Sequence, residues 1–204
     1  MVIEVYRGDL PDGLDLGSVV AVDSETMGLN PLRDRLCVLQ LSSGDGVSHL
    51  VQFPKGPYDA PNLARLFADP NVTKLFHFAR FDLAVIRQHL GVVCQPVYCT
   101  KIASKLVRTY TDRHGYKDIC RELLGVDISK QQQSSDWGAA DLTEEQLRYA
   151  ATDVLHLHAL KDKLDAMLAR EGRTGMAAAA FAYLPHRAEL DLAGFADEDI
   201  FAHS

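Results

Sequence analysis

Asp23 and Glu25 stand one residue apart at the end of Val19-Val20-Ala21-Val22, an aliphatic run with three β-branched members. Such a run reads as a fully buried strand. Successive strand side chains point to opposite faces, so the two carboxylates share one face roughly 6–7 Å apart along the chain. Like charges that close repel unless a proton or a cation lies between them, and an oxygen donor pair suits a hard divalent cation such as Mg²⁺. D-x-E is also a common chance pattern, and both acids could simply end the strand in solvent, so the stretch alone leaves two readings open. Asp82 falls in the first turn of a helix that follows Phe76-His77-Phe78, where a carboxylate suits the helix dipole with no further role. Asp153 lies four residues after Tyr149 in a helical pattern, which puts both on one face a turn apart. Ala150 and Ala151 permit close approach there, and an acid on that inner face is costly unless paired. A ligand role accounts for Asp153 better than an exposed i,i+4 pair does.

Periodicity and turn chemistry supply the elements that must position these residues. Val2–Tyr6 suits an edge strand. Strands at Val19–Glu25, Leu36–Leu41 and Val47–Phe53, the last two joined by the hairpin signal Gly44-Asp45-Gly46, form an antiparallel meander. Asn62 is expected to cap a short helix through Phe67 that stops at Asp69-Pro70. A strand at Thr73–His77, a helix at Phe81–Leu90 closed by Gly91, a brief strand at Val97-Tyr98 and helices at Thr100–Val107 and Gly115–Leu124 follow. Ser129–Gly138, with three consecutive glutamines, lacks an apolar period and reads as an ordered or substrate-facing loop. Thr143 and Gln146 form a capping box, opening a helix whose apolar stripe runs to about Glu171. Met176–Tyr183 is a further helix broken at Pro185, and the tail with Phe195, Ile200 and Phe201 is expected to pack on something. The alternation predicts an α/β fold: three antiparallel strands, then strands parallel to the central one, flanked by helices. One domain over 1–204 is expected, with a core about 17–170 and a helix and tail at 172–204 on the core or a neighbouring subunit.

The net charge of −7 on 204 residues argues against a large non-specific grip on nucleic acid, though not against a small basic site. Between Lys101 and Arg121, six cations (with Lys105, Arg108, Arg113 and Lys117) face two acids, Asp112 and Asp118, an excess of four. That stretch binds phosphate or is a solvated helix face. No apolar run is long enough to span a bilayer. Met1–Arg7 lacks a basic region followed by an apolar one, so no signal peptide and a cytoplasmic location are expected. Cys37, Cys94, Cys99 and Cys120 match neither a disulfide framework nor a zinc spacing. Buried reduced thiols are expected, the alternative being a redox or metal pair at Cys94-x4-Cys99.

Asp23-x-Glu25, then Phe81-Asp82, then Tyr149-x3-Asp153 resembles the three motifs of the DEDDy class of 3′-to-5′ exonucleases, the ribonuclease D group. Glu25-Thr26-Met27-Gly28-Leu29-Asn30-Pro31 with Asp34-Arg35-Leu36-Cys37, Gln132-Gln133-Ser134-Ser135-Asp136-Trp137 and Leu142-Thr143-x2-Gln146-x2-Tyr149 extend the likeness over roughly residues 19–165. Three separated motifs in order are far more specific than one. The second motif departs from the family: Phe78, preceded by His77, stands where Asn is usual. Ribonuclease D proper also carries a C-terminal helical domain for long RNA, for which this chain is too short. Within the group the chain is most similar to nano-RNase C, in His77–Asp82, Pro96–Ile102, Arg108–Lys117, Lys130–Trp137 and Asp199–Ser204.

The resemblance implies a ribonuclease-H-like fold and two divalent cations, Mg²⁺ or Mn²⁺. It also implies hydrolysis of short RNA, down to dinucleotides, into nucleoside 5′-monophosphates, and a homo-oligomeric, octameric ring. On that reading Asp23 bridges both cations, Glu25 and Asp153 complete the first, and Asp82 holds the second mainly through water. One cation activates the attacking water and the other stabilises the leaving 3′-oxygen, about 3.5–4 Å apart. Tyr149, with a phenol pKa near 10, orients that water rather than acting as a free base. Leu29 is expected to wedge against or between the last two bases, with Met27 and Phe78 lining the pocket, unless all three are core residues; stacking of this kind reads no sequence. Ser24, Gly28 and Phe81 belong to the same substrate pocket. His77 either contacts sugar or phosphate or is a satisfied structural histidine. Arg113, His114 and Lys117 are candidates for a 5′ phosphate or for RNA from a neighbouring subunit. Two alternatives remain. One is an exonuclease acting on DNA, because the acids do not read the 2′-hydroxyl. The other is a catalytically dead scaffold, which would need none of the four acids. The related class with His in place of Tyr149 does not fit, since His156 and His158 lie beyond Asp153.

Overall fold

The computed structural model describes residues 1–129 and 134–203. Gln132 and Gln133 of the third likeness, Lys130 and the terminal Ser204 lie outside the described residues. Six strands form one sheet: β1 (Val2–Arg7), β2 (Val19–Thr26), β3 (Leu36–Ser42), β4 (Val47–Gln52), β5 (Thr73–Phe76) and β6 (Val97–Cys99), in the order β1-β4-β3-β2-β5-β6. β2, β3 and β4 pair antiparallel, and β5 and β6 continue from β2 in parallel, as the alternation predicts. β1 closes the other edge parallel to β4. β3 is buried along its whole length, which explains its unbroken apolar reading.

Seven helices flank the sheet: α1 (Pro61–Ala68), α2 (Ala79–Leu90), α3 (Thr100–Val107), α4 (Tyr116–Leu124), α5 (Glu144–Leu155), α6 (Leu157–Arg170) and α7 (Thr174–Leu190), followed by a π-helical turn at Asp191–Phe195. α5 lies over β2, β3 and β4, sealing a small cluster of Cys37, Val38, Leu50, Trp137, Ala150 and Ala151. The capping box is formed: Gln146 N–H donates to Thr143 Oγ1 at 3.2 Å and Thr143 N–H to Gln146 Oε1 at 2.9 Å. All four cysteines are free and buried. No helix among the described residues is long and apolar enough to cross a membrane.

Four local expectations change. Asn62 does not cap α1. Asp9, from the loop after β1, accepts the N–H groups of Asn62 and Leu63 at 2.7 and 2.9 Å, while the Asn62 amide turns outward to Leu10 O and Asp12. The long helix to Glu171 is interrupted at His156, whose φ of −101° and ψ of −2° separate α5 from α6. Two residues on, His158 Nε2 donates to Val19 O at 2.9 Å, tying α6 to the start of β2. Pro185 does not break α7 but sits inside it, buried with Phe181, Leu184 and Ala188. A proline there costs about 3 kcal/mol, and the apolar face that α7 lays on α2 offsets that loss. The tail aromatics are more exposed than expected: Phe201 touches the Tyr183 ring at 5.8 Å, yet Phe195, Ile200 and Phe201 face solvent.

Asp9→Ala should lower stability by about 1 kcal/mol, the usual worth of an N-cap, although Asp9 is 52 residues from Pro61 in sequence. Urea unfolding checks this; an unchanged midpoint at equal slope would remove Asp9 from that role.

Candidate active site

The parallel strands β2 and β5 and the short β6 all end at one rim of the sheet, the place where open α/β sheets bind ligands. Each end delivers chemistry: Asp23 to Met27 from β2, His77 and Phe78 after β5, Thr100 and Lys101 after β6. A cavity of about 670 Å³ opens there, within the range of small-ligand clefts. Asp23, Ser24, Glu25, Met27, Gly28, Leu29, His77, Phe78, Phe81, Lys117, Tyr149 and Asp153 line it. Arg113 does not line it, and its carbonyl is taken by Arg108 at 2.6 Å. His114 is turned to Ser104, Nδ1 to Oγ at 2.9 Å.

One oxygen each from Asp23, Glu25 and Asp153 lies within 4.8 Å of the others. Three carboxylate oxygens converging on one point, with no nitrogen or sulfur donor among them, fit a hard divalent cation. Asp82 stands apart from this group. It is buried and accepts from Ser24 Oγ at 2.6 Å, behind the cavity wall that Ser24 forms. Alternation on β2 explains the split, since Ser24 points away from the face that carries Asp23 and Glu25.

Burial pushes the Asp23 carboxyl well up from the usual carboxylate range, and repulsion from Asp82, Asp153 and Glu25 adds to it. Glu25 rises to about 9, chiefly through burial and then through Asp153 and Asp82; only Gln40 Nε2, at 3.4 Å from its Oε1, pulls the other way. Asp82 rises to about 7 by burial, opposed by the Ser24 hydrogen bond. Tyr149 is raised too, by burial and then by the negative charge of Asp153, Glu25 and Asp23, and it therefore keeps its proton at neutral pH.

The residues that could meet a substrate differ in character. Leu29 is 87% exposed, Met27 and Phe78 about half exposed, so none of the three is a core residue. Phe78 takes φ 70° and ψ 46°, the left-handed region that a bulky residue adopts only against strain, and among the described residues it is alone in this apart from glycines. That turn lets the chain pass from β5 into α2 while the ring stays at the cavity mouth, with Lys101 Nζ 4.2 Å above it. His77 Nδ1 lies 2.9 Å from Thr100 Oγ1, and its ring leans on Tyr116 at 5.6 Å.

Several lining residues carry no site signal of their own. Lys101 is read only as one cation of the basic stretch, yet it lines the cavity. Tyr116 belongs to a plain amphipathic pattern, yet its hydroxyl donates to Thr152 O at 2.9 Å, beside Asp153. Trp137, whose motif placed it in the likeness but not in the site, packs on Tyr149 at 6.0 Å and lines the cavity. Gln40 could have been found from register, because it lies opposite Asp23 on β3.

Without divalent cation the folded chain holds protons that the unfolded chain releases above about pH 4. Stability should therefore fall as pH rises from there through about 7 (Asp82) and about 9 (Glu25), by up to about 1.4 kcal/mol per pH unit for each titrating group. Unfolding in EDTA at pH 5, 7 and 9 reads this. Glu25→Gln should stabilise the metal-free chain at pH 8, and Mn²⁺ should abolish that advantage; a flat wild-type profile would contradict the repulsion.

The profile of a family described as 3′-5′ exonuclease matches residues 11–169. The ribonuclease D of Acidiphilium cryptum is 37% identical over 164 residues, which make up 80% of this chain and 41% of that protein. The chain thus spans about two-fifths of the length of the curated relatives it matches. The structure of Brucella melitensis NrnC with bound Mg²⁺ is similar at a TM-score of 0.96 and 56% identity, covering 100% of both chains. The same protein bound to pGG gives 0.97 and 57%, again over 100% of both.

Proposed function

Because the chain belongs to the 3′-5′ exonuclease family, we propose that it hydrolyses short RNA from the 3′ end, down to dinucleotides, releasing nucleoside 5′-monophosphates. The observation that carries this reading is the convergence of Asp23, Glu25 and Asp153 at the floor of a cavity whose mouth is lined by the exposed apolar residues Leu29 and Phe78. Two divalent cations, Mg²⁺ or Mn²⁺, held by Asp23, Glu25 and Asp153 with Asp82 behind them, would lower the pKa of the attacking water and stabilise charge on the leaving oxygen. Tyr149, protonated and one helical turn from Asp153, donates a hydrogen bond that orients the nucleophile. Leu29 and Phe78 present apolar surface to the terminal bases, a contact indifferent to base identity. Lys101 and Lys117 bring positive charge to the phosphates.

A preference for short substrates is supported by the size of the cleft and by the pGG found on the similar Brucella protein. RNA rather than DNA is supported by the ribonuclease D relatives. Four free buried thiols fit a reducing, cytoplasmic compartment. A homo-oligomeric ring of eight copies is the assembly proposed from the family likeness, and the exposed Phe195, Ile200 and Phe201 offer apolar surface for subunit packing. Light scattering reads the copy number directly.

Asp153→Asn should abolish turnover while the melting profile shows an intact fold, and EDTA should do the same to the wild type. The assay is release of mononucleotide from 5′-labelled di-, penta- and longer RNA and DNA with Mg²⁺ or Mn²⁺. Dinucleotide RNA should give the highest kcat/KM. Normal activity of Asp153→Asn at saturating Mn²⁺ would overturn the site assignment, and faster degradation of DNA would replace the substrate with the alternative one.

A further inference from the structure

Leu29 is held by almost nothing of its own, since its side chain is 87% exposed, yet a wedge must point in one direction. The loop that carries it, between β2 and β3, folds around a single buried group, the Asp34 carboxylate. On the C-terminal side of Leu29, Asn30 N–H donates to Asp34 Oδ2 at 3.0 Å. On the N-terminal side, Gly28 packs so closely that a Cβ added there would stand 2.3 Å from the same Oδ2 and 2.8 Å from the carboxyl carbon. Real Cβ atoms do not come so close, so any side chain at this position, which has no unusual φ, would have to push the Asp34 carboxylate aside. Both chain neighbours of Leu29 are therefore seated on one oxygen.

Asp34 is itself anchored from the far side. Its N–H donates to Asn30 O at 2.7 Å, and its carbonyl accepts from His89 Nε2, in the last turn of α2, at 3.2 Å. The Arg33 guanidinium grips both carboxylate oxygens at 2.7 and 2.8 Å. That pair and the Asn30 N–H hold the carboxyl down at about 2, so it stays ionised throughout the working range.

We propose that Asp34 is a positioning residue for substrate specificity: its carboxylate clasps the backbone on both sides of Leu29 and fixes the direction in which that side chain meets the terminal bases. This rests on the reading of Leu29 as the base-contacting residue and deepens it. Asp34 touches neither substrate nor the converging carboxylates, so its loss acts on the binding of the bases and not on the chemical step.

The test is a double-mutant cycle on a dinucleotide RNA. Leu29→Ala should raise KM about tenfold, the worth of one stacked base, with kcat within a factor of about three. Asp34→Ala should raise KM by a similar factor in the wild type and by nothing further in the Leu29→Ala background. Asp34→Asn, which keeps an acceptor for Asn30 N–H, should restore most of the affinity. Gly28→Ala, which drives a methyl into the carboxylate without altering Asp34, should reproduce the KM defect and serves if Asp34→Ala fails to fold. Mn²⁺ binding measured by calorimetry should be the same in every variant. If Leu29→Ala leaves KM unchanged, the reading of Leu29 fails and the clasp with it. If Leu29→Ala raises KM but Asp34→Ala and Gly28→Ala do not, or their effects add in full to it, the clasp alone is overturned.

Discussion

Like-charge repulsion at the end of β2 is the constraint around which the other elements are arranged. Asp23, Glu25 and Asp153 place carboxylate oxygens within 4.8 Å of one another in a largely buried setting, with Asp82 close enough to disfavour their ionisation further. A fold gains nothing from this in its own right, because taking a carboxylate out of water is costly and a second one beside it adds to the cost. The protein's own relief includes a long hydrogen bond from Gln40 to Glu25, a short one from Ser24 to Asp82, the Ser24 backbone N–H on Asp23 and the Tyr149 hydroxyl on Asp153. A proton or a cation between the oxygens relieves the arrangement, and the raised Glu25 and Asp82 carboxyls take the first course where no cation is bound. The packing around it is built to tolerate the strain, with Ala150 and Ala151 letting α5 approach β3 and β4 and the capping box fixing where α5 begins. Stability is spent locally so that a charge-poor hollow is ready for cations.

The apolar residues at the mouth obey the opposite logic. Leu29 and Phe78 would stabilise the fold if turned inward, and neither is. Phe78 is kept out by backbone geometry, since the left-handed turn between β5 and α2 faces its ring to the cavity and brings Asp82 into the first turn of α2, behind Ser24. One strained residue thus sets two features of the site. The same ring borders the hollow between α3 and α7, where Tyr183 and Arg187 lie, so the mouth is continuous with the surface that the C-terminal helix builds.

The acids were legible in the sequence because their placement depends on local periodicity: two residues apart on a strand, four apart on a helix, one turn into a helix. The antiparallel meander follows from the hairpin signal and the parallel strands from the later alternation, whereas the pairing of β1 with β4 needs the structure. What escaped the sequence was decided between distant segments. Asp9 caps α1 from another loop, His158 reaches β2 across the break at His156, and Pro185 survives within α7 because that helix is paid in burial against α2. Tyr116 enters the site through packing that no window of sequence contains. The place of Asp82 at a helix start follows from the sequence, but its separation from the other three by Ser24 needs the structure.

The basic stretch from Lys101 to Arg121 shows how charge counted along a chain misleads about charge in space. Arg108 is fully buried, bonded to Glu122, to Ser104 Oγ at 3.0 Å and to Arg113 O at 2.6 Å, so it shapes the loop between α3 and α4 and offers nothing to a phosphate. Arg121 is paired with Asp118 at 3.3 Å. Lys101 and Lys117 remain at the cavity, on a chain whose net charge is −7. Affinity for a nucleic acid backbone grows with the number of phosphates neutralised, and among the described residues the cavity itself offers two lysines for that. On the proposed function, binding rests on the terminal bases and on cations held by the carboxylates, both of which act on the last nucleotides. Such a site gains little from each further nucleotide, which supports the proposed preference for short substrates.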